Sequence, residues 1–347
     1  MSSLQLVPAG SIIFSKRAPI GQVVINAIDL CTNQGCLTAV LNDDSDVRFY
    51  RYVMSIATEE FELAGSGTTF KEISATSFGN ILLPLTSKQE QTKCADYLDV
   101  KSSKIDEIIE KQQAIIEKLK EYKLSIITEA VTSGINPDVE MKDSGSVWFG
   151  SIPINWQMKR LKYVFHIQKD IAGEEGHTVL SITQRGIIPK DFSNNEGQFA
   201  NSYANYQLVH KGDFAMNHMD LLTGWVDISK YEGVTSPDYR VFVLNDKNGM
   251  CPEYYLYMMQ MCYSARIFYG LGQGVSGMGR WRLQADKFLN FHIPIPPYDE
   301  QKIIADYITD KVNHIEVEID KRNKLIEKYQ EYKKSLIYEV VTGKKEV

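Results

Sequence analysis

Two stretches of the chain repeat apolar positions at helical spacing over a length that no ordinary globular helix reaches. In the first, Ile105, Ile108, Ile115, Leu119, Tyr122 and Ile126 recur at intervals of three and four, with Gln112 as a polar interruption. This is the heptad pattern of a coiled-coil seam. In the second, Ile315, Leu325, Tyr329, Tyr332 and Leu336 stand at the same offsets, with Glu318 and Arg322 where apolar residues are expected. Pro84 before the first stretch, and Pro294, Pro296 and Pro297 before the second, mark sharp helix starts, and Gly134 and Pro137 stop the first. About 43 residues at ~1.5 Å each make a helix of roughly 65 Å, too long to bury its stripe in its own globule. The pattern predicts that the two helices pack on each other as an antiparallel coiled coil.

The two stretches are copies of one another. Leu83 onward matches Ile293 onward at a constant offset of 210, and Gln89–Thr132 against Asp299–Thr342 gives 20 identities in 44 positions. Glu90-Gln91 matches Glu300-Gln301, Ala95-Asp96-Tyr97 matches Ala305-Asp306-Tyr307, and Glu121-Tyr122-Lys123 matches Glu331-Tyr332-Lys333. Between the copies, from about Met141 to Pro297, strand-like runs (His177–Ile182, Asp213–Met216, Tyr239–Leu244, Phe291–Ile295) surround a helical pattern at Pro252–Phe268. The segment before the first helix aligns with the second half of that insert. Leu6–Ser11 parallels Leu208–Asp213, Phe49–Tyr52 parallels Glu253–Leu256, and Gly65–Gly67 parallels Gly272–Gly274. On this alignment the first globule is shorter than the second by roughly 60 residues, ahead of its Gly10. The fold class expected is α+β with a pseudo-two-fold internal repeat. Its parts are a partial domain at 1–87, a long helix at 88–134, a complete domain at 135–297 and a second long helix at 298–347.

Composition narrows the function. The 347 residues are 44 % apolar and 24 % charged, close to globular averages, and the net charge of -6 argues against coating nucleic acid by bulk attraction while leaving room for a local basic surface. No apolar run is long enough to span a bilayer, and the first residues lack a secretory pattern. Five cysteines, sparse and odd in number, fit a reducing compartment, so a cytoplasmic location is expected. Catalytic motifs are missing. Phe268–Gly274 superficially resembles a cofactor loop, but a helical pattern precedes it where a strand is needed, so it reads better as a glycine-rich recognition loop. Cys31 and Cys36 have no partner pair at zinc spacing, and no metal site is expected.

MKDSGSVWFGSIPINWQMKRLKYVF (Met141–Phe165), APIGQV (Ala18–Val23), VTSPDYRVF (Val234–Phe242) and IPIPPYDEQ (Ile293–Gln301), set in the order domain, helix, domain, helix, resemble the DNA specificity (S) subunits of type I restriction–modification systems. In that family target-recognition domains alternate with long spacer helices, and the first domain opens with its own SG…W..G.IP..W segment, from which this chain departs. The resemblance implies a non-catalytic subunit that binds double-stranded DNA at a bipartite site. Its partners would be two modification subunits, which hold S-adenosylmethionine and methylate adenine, and ATP-dependent restriction subunits. A second copy or another chain could supply the missing part of the first domain. The alternative is a scaffold or regulator that binds the methyltransferase subunits and reads a half site or none.

Reading DNA requires cations for phosphates and forked polar groups for base edges. In the complete domain the candidates are Lys159 and Arg160, the loop pair Gln184 and Arg185, the polar turn Asn217-His218, and Gln273, Arg280, Trp281 and Arg282 around the glycine-rich stretch. In the partial domain their counterparts are Lys16, Arg17, Thr68, Thr69 and Lys71. Segment 142–297 has 15 basic and 14 acidic residues, whereas 1–87 has 5 and 8, so the complete domain is expected to track the backbone.

Overall fold

The computed structural model of the chain describes residues 6–17, 19–67, 71–192, 200–274 and 281–347. It divides into two compact units, one formed by 1–117 with 319–347, the other by 118–318. The long helices, Lys88–Ser133 and Tyr298–Val341, contribute a segment to each. No helix among the described residues is long and apolar enough to cross a membrane.

In the first unit a three-stranded antiparallel sheet has Ile12–Ser15 at its centre, between Val23–Ile25 and Cys36–Ala39. Phe14 drops from its middle into a ring cluster with Phe61 and Phe78, at centroid distances of 4.6 and 4.8 Å. The helix Val47–Ile56 is capped by Asp46, whose carboxylate accepts from the amides of Arg48 and Phe49. Its buried face (Phe49, Tyr52 and Val53) meets Cys94, Ala95 and Leu98 of one long helix and Leu336, Ile337 and Val340 of the other.

The second unit repeats this plan and enlarges it. Phe214–Met216 pairs with Val226–Ile228 and Arg240–Leu244, and a further strand, Phe165–Gln168, adds to the outer side of the last. The helix Pro252–Ser264 opens on proline and buries Tyr254, Tyr255, Met258, Met259, Met261, Cys262 and Tyr263, so it is apolar on nearly every side. The sequence pattern predicts it to run to Phe268. It ends at Ser264, because Arg266 turns into the left-handed region at φ 58 before Ile267–Leu271 starts. Ile127, Ala130 and Val131 of the first long helix and Ile304, Ala305 and Ile308 of the second join this core. These are the 210-offset equivalents of Ile337, Val340, Val341, Cys94, Ala95 and Leu98, so each unit packs the start of one long helix beside the end of the other.

Repeated residues make repeated bonds. Gln91 is fully buried, accepts from the Asp46 amide at 2.8 Å and donates to the Thr86 carbonyl at 2.8 Å. Gln301, 2 % exposed, accepts from the Cys251 amide at 3.0 Å and donates to the Pro296 carbonyl at 2.9 Å. Asp46 and Cys251 precede the first turns of Val47–Ile56 and Pro252–Ser264, so Phe49 corresponds to Tyr254. The sequence alignment of Phe49 with Glu253 is therefore one residue out of step. Lys333 bonds Asp106 at 2.7 Å in the first unit, and Lys123 pairs with Glu316, the 210-offset equivalents, in the second. Gln112 accepts from Arg322, its own equivalent, at 2.7 Å.

The seam runs antiparallel, as predicted, but four of its eleven expected positions give way to the next residue. Ile105, Ile126, Ile315 and Leu336 are buried and Leu119 and Tyr329 half-buried, whereas Ile116 is buried in place of Ile115, which like Ile108 is half-buried. Tyr122 and Tyr332 are 57 % and 54 % exposed, and Leu325 gives its place to Ile326. The doublets Ile108-Ile109, Ile115-Ile116 and Leu325-Ile326 satisfy either phase, so apolar spacing alone does not choose between them. Lys123 and Lys333 occupy the seam beside the exposed tyrosines, laying their stems along the partner helix and carrying the ammonium to Glu316 and Asp106. Ile319 likewise fills the position that the pattern gave to Glu318.

Candidate nucleic-acid interface

In the second unit the turn from Asn217 to Gly224 joins the two strands Phe214–Met216 and Val226–Ile228, and its shape is set from within. The Asp220 carboxylate accepts from the amides of Leu222 and Thr223, both at 3.0 Å. The Gly224 amide reaches the Asp220 carbonyl at 3.0 Å. A Cβ at Gly224 would sit 2.1 Å from that oxygen, so only glycine closes the turn. From below, the Tyr263 hydroxyl donates to the Asn217 carbonyl.

Two further loops are tied to this turn. The hairpin Leu180–Thr183 with Gly186–Pro189 carries Gln184 and Arg185, both exposed, at its tip. The Gln184 amide donates to the Thr223 carbonyl at 3.4 Å, and the Ile187 amide to Asp227 at 3.3 Å. On the other side Gln273 and Arg282 exchange backbone bonds of 2.9 and 3.1 Å, and the Leu283 amide donates to the His218 carbonyl at 3.0 Å. Five sequence candidates thus gather around one turn, namely Gln184, Asn217, His218, Gln273 and Arg282, with Arg185 and Trp281 adjoining them. The glycines have a packing role. The Trp281 indole stacks on Tyr269 at 5.3 Å and donates to its carbonyl at 2.5 Å, and a Cβ at Gly272 or Gly274 would come within 2.5 Å of that indole. Arg280 lies outside the described residues.

Behind the turn lies a cavity of about 390 Å³ whose polar wall includes Lys169, Gln207, His218, Arg240, Arg282 and Gln284. Sequence reasoning missed Arg240. It opens a strand buried at all five positions, Arg240–Leu244, and is itself 5 % exposed. One guanidinium nitrogen donates to the Leu283 carbonyl at 2.9 Å, and the group stands 5.0 Å over the Phe288 ring, but Nη1 is buried without a hydrogen-bond partner. Burial, with Arg282 nearby, lowers its pKa to about 10. Burial first, then Arg240, Arg282 and Lys169, depress the His218 imidazole to about 3, so it is neutral, and its Nδ1 also lacks a partner. The available signal was an arginine inside an otherwise apolar strand, where a charge needs a reason.

Lys159 and Arg160 stand apart from this group. They are exposed on the strand Gln157–Arg160, paired with His292–Ile295 where the chain leads into the second long helix.

In the first unit Lys16 and Arg17 do come together with the segment after Lys71, but around a carboxylate. Lys16 bonds Glu72 at 2.6 Å, and Arg17 and Glu72 form a backbone bridge. The Ile73 amide donates to the Lys16 carbonyl at 2.9 Å, as Leu283 does to His218. By these bonds Lys16 corresponds to His218 and Glu72 to Arg282, and strand register sets Leu37 where Arg240 stands. The first unit therefore carries an apolar residue and a carboxylate where the second has Arg240 and Arg282, and a lysine paired to that carboxylate where the second has the neutral His218. Lys71 is exposed, and Thr68 and Thr69 lie outside the described residues.

The family model described as "Type I restriction modification DNA specificity domain" matches residues 2–125 and 153–328. Among curated proteins, the chain is 34 % identical over 122 residues to the type I restriction enzyme MjaIX specificity subunit of Methanocaldococcus jannaschii, a match covering 34 % of this chain and 27 % of that protein. It is 25 % identical over 323 residues to the MjaVIII specificity subunit of the same organism, covering 87 % of this chain and 71 % of that one. The chain thus spans about a quarter of the first relative and seven-tenths of the second. Among solved structures, a chain from work on complex assembly and conformational transition of the type I R-M system superposes with a TM-score of 0.69 at 12 % identity, covering 97 % of this chain and 83 % of that one. The HsdS subunit from Thermoanaerobacter tengcongensis gives 0.50 at 13 % identity, covering 99 % and 84 %. At these identities the likeness is one of fold.

Proposed function

Because the chain belongs to the type I restriction modification DNA specificity family, we propose that it is the DNA-reading specificity subunit of a type I restriction–modification enzyme. It selects the site and performs no chemistry. Two modification subunits holding S-adenosylmethionine methylate adenine there, and restriction subunits join them. The observation that carries this reading is the gathering of Gln184, Asn217 and Gln273, with Arg185 beside them, around one turn in the second unit. Amide and guanidinium forks on fixed backbone are what bidentate bonds to purine edges require. The test is co-expression with a modification subunit, followed by mapping of methylated adenines in genomic DNA. One recurring sequence supports the reading, and methylation absent or scattered without a common sequence refutes it.

A half-site reading is favoured by one feature. The first unit replaces Arg240 and Arg282 by Leu37 and Glu72, so its counterpart surface lacks the cations of the second. In that case the methylated adenines share one defined half site, with no fixed bases across a spacer.

A further inference from the structure

We propose that the cavity beside His218 is a phosphate site, and, resting on the DNA-reading role above, that it receives one backbone phosphate of the bound duplex. Three cations (Lys169, Arg240 and Arg282) line it against the single carboxylate of Asp238. Arg240 is the decisive one. A guanidinium that is 5 % exposed, with no carboxylate paired to it among the described residues, leaves a desolvated charge uncompensated. A second guanidinium and an ammonium at the same cavity make this worse, unless an anion occupies the space between them. Two side-chain donors at the wall, Arg240 Nη1 and, in the matching tautomer, His218 Nδ1, have no partner among the described residues. An oxyanion seated there supplies acceptors for both, and a guanidinium suits phosphate because its planar fork bonds two oxygens at once.

Several features narrow the ligand. The volume, about 390 Å³, lies in the range of small-ligand pockets, ~300–1,000 Å³, so a phosphodiester with part of its sugar fits. Lys169 and Arg282 are exposed at the rim of the cavity, which His218 and Met219 of the 217–224 turn also line. The first unit holds Leu37, Lys16 and Glu72 at the equivalent positions, with the lysine already bonded to the glutamate at 2.6 Å.

The test uses the full chain and two probes. The first is inorganic phosphate, compared with chloride at equal ionic strength in thermal unfolding. Phosphate should raise the midpoint of the wild type and not of the Lys169→Gln/Arg282→Gln double variant, whose changes lie at the exposed rim and spare the fold. Arg240→Lys, which keeps the charge but not the fork, should weaken the effect. The second probe is DNA carrying the methylated sequence, bound by the chain with its modification subunits over a salt series. Losing one phosphate contact should reduce the slope of log affinity against log salt by about 0.9. Equal phosphate stabilisation in wild type and double variant, or none in either, overturns the site. Stabilisation confined to the wild type with an unchanged salt slope overturns the DNA phosphate as its occupant and leaves free phosphate. A complex that binds no DNA refutes the DNA-reading role, while the phosphate arm still judges the cavity.

Discussion

Replacing Gln301 by alanine should loosen the junction between the second long helix and the buried helix Pro252–Ser264. Gln301 is 2 % exposed, and its amide satisfies the Cys251 amide at 3.0 Å and the Pro296 carbonyl at 2.9 Å. Neither group has water to turn to. An unsatisfied buried polar group costs about 1–3 kcal/mol. Two of them, discounted for relaxation, give roughly 3 kcal/mol. For a unit of this size about 1 kcal/mol corresponds to ~2–4 °C, so the transition of the second unit should fall by roughly 6–12 °C in calorimetry. Gln301→Leu keeps the volume and removes the bonds, and should fall nearly as far. Glu300→Ala, next door, loses an exposed contact with Asn155 and one acidic charge of the helix's first turn, and should cost no more than about 1 kcal/mol. Amide exchange gives a residue-level check, because the Cys251 amide should lose protection while the centre of Arg240–Leu244 keeps it. If Gln301→Leu melts like the wild type, or the Cys251 amide stays protected in both variants, the glutamine fills space and the hydrogen-bond argument fails.

Three other outcomes follow from the same geometry. Arg185→Ala should weaken binding to the cognate sequence by about 1–3 kcal/mol with its salt slope intact; uniform weakening on all sequences would show a phosphate contact instead. Ile116→Ala should cost about 2–5 kcal/mol of stability and Tyr122→Ala less than about 0.5 kcal/mol in denaturant unfolding, an order that the apolar spacing alone would reverse. His218 is depressed to about 3 in the folded chain, by burial and then by Arg240, Arg282 and Lys169, and unfolding returns it to its ordinary value near 6.5. Stability is therefore full above about pH 6.5 and declines as the pH falls toward 3, since the unfolded chain takes the proton first, at up to ~1.4 kcal/mol per pH unit. His218→Gln should lose this component, and identical slopes for wild type and variant between pH 7 and 5 would refute it.

The long helices and the repeat were legible because both rest on local periodicity and on ungapped identity. The seam phase was not, because isoleucine doublets suit either phase and the deciding residues, Lys123 and Lys333, are ones that hydropathy assigns to solvent. Gln91 and Gln301 stood out as matched residues, yet their reason, a buried amide bridging to a helix start 45 or 50 residues earlier, is a tertiary fact. Among the candidate contacts, loop chemistry located Gln184, Asn217 and His218 correctly on turns. It could not tell that Lys16 faces Glu72, nor that Arg240, inside the quoted VTSPDYRVF, carries its charge to a cavity wall and not into a strand's ordinary apolar layer. Both depend on which strands become neighbours.

The discontinuous make-up of the first unit has a consequence for biosynthesis. Residues 1–117 are completed by 319–347, so Phe49, Tyr52 and Leu98 wait for Leu336, Ile337 and Val340 until 118–318 have been made. At ~5–20 residues per second the ribosome takes roughly 10–40 s to cross the intervening stretch. Residues 118–318 are contiguous and can assemble during that interval. The helix-packing core of the first unit is therefore completed last, although its Phe14, Phe61 and Ile73 cluster needs no later residue. The early segment, with Phe49 and Tyr52 uncovered, is the part exposed to chaperones and proteases. Removing 319–347 would leave the residues of the later unit in place and take Leu336, Ile337 and Val340 out of one core cluster of the earlier one.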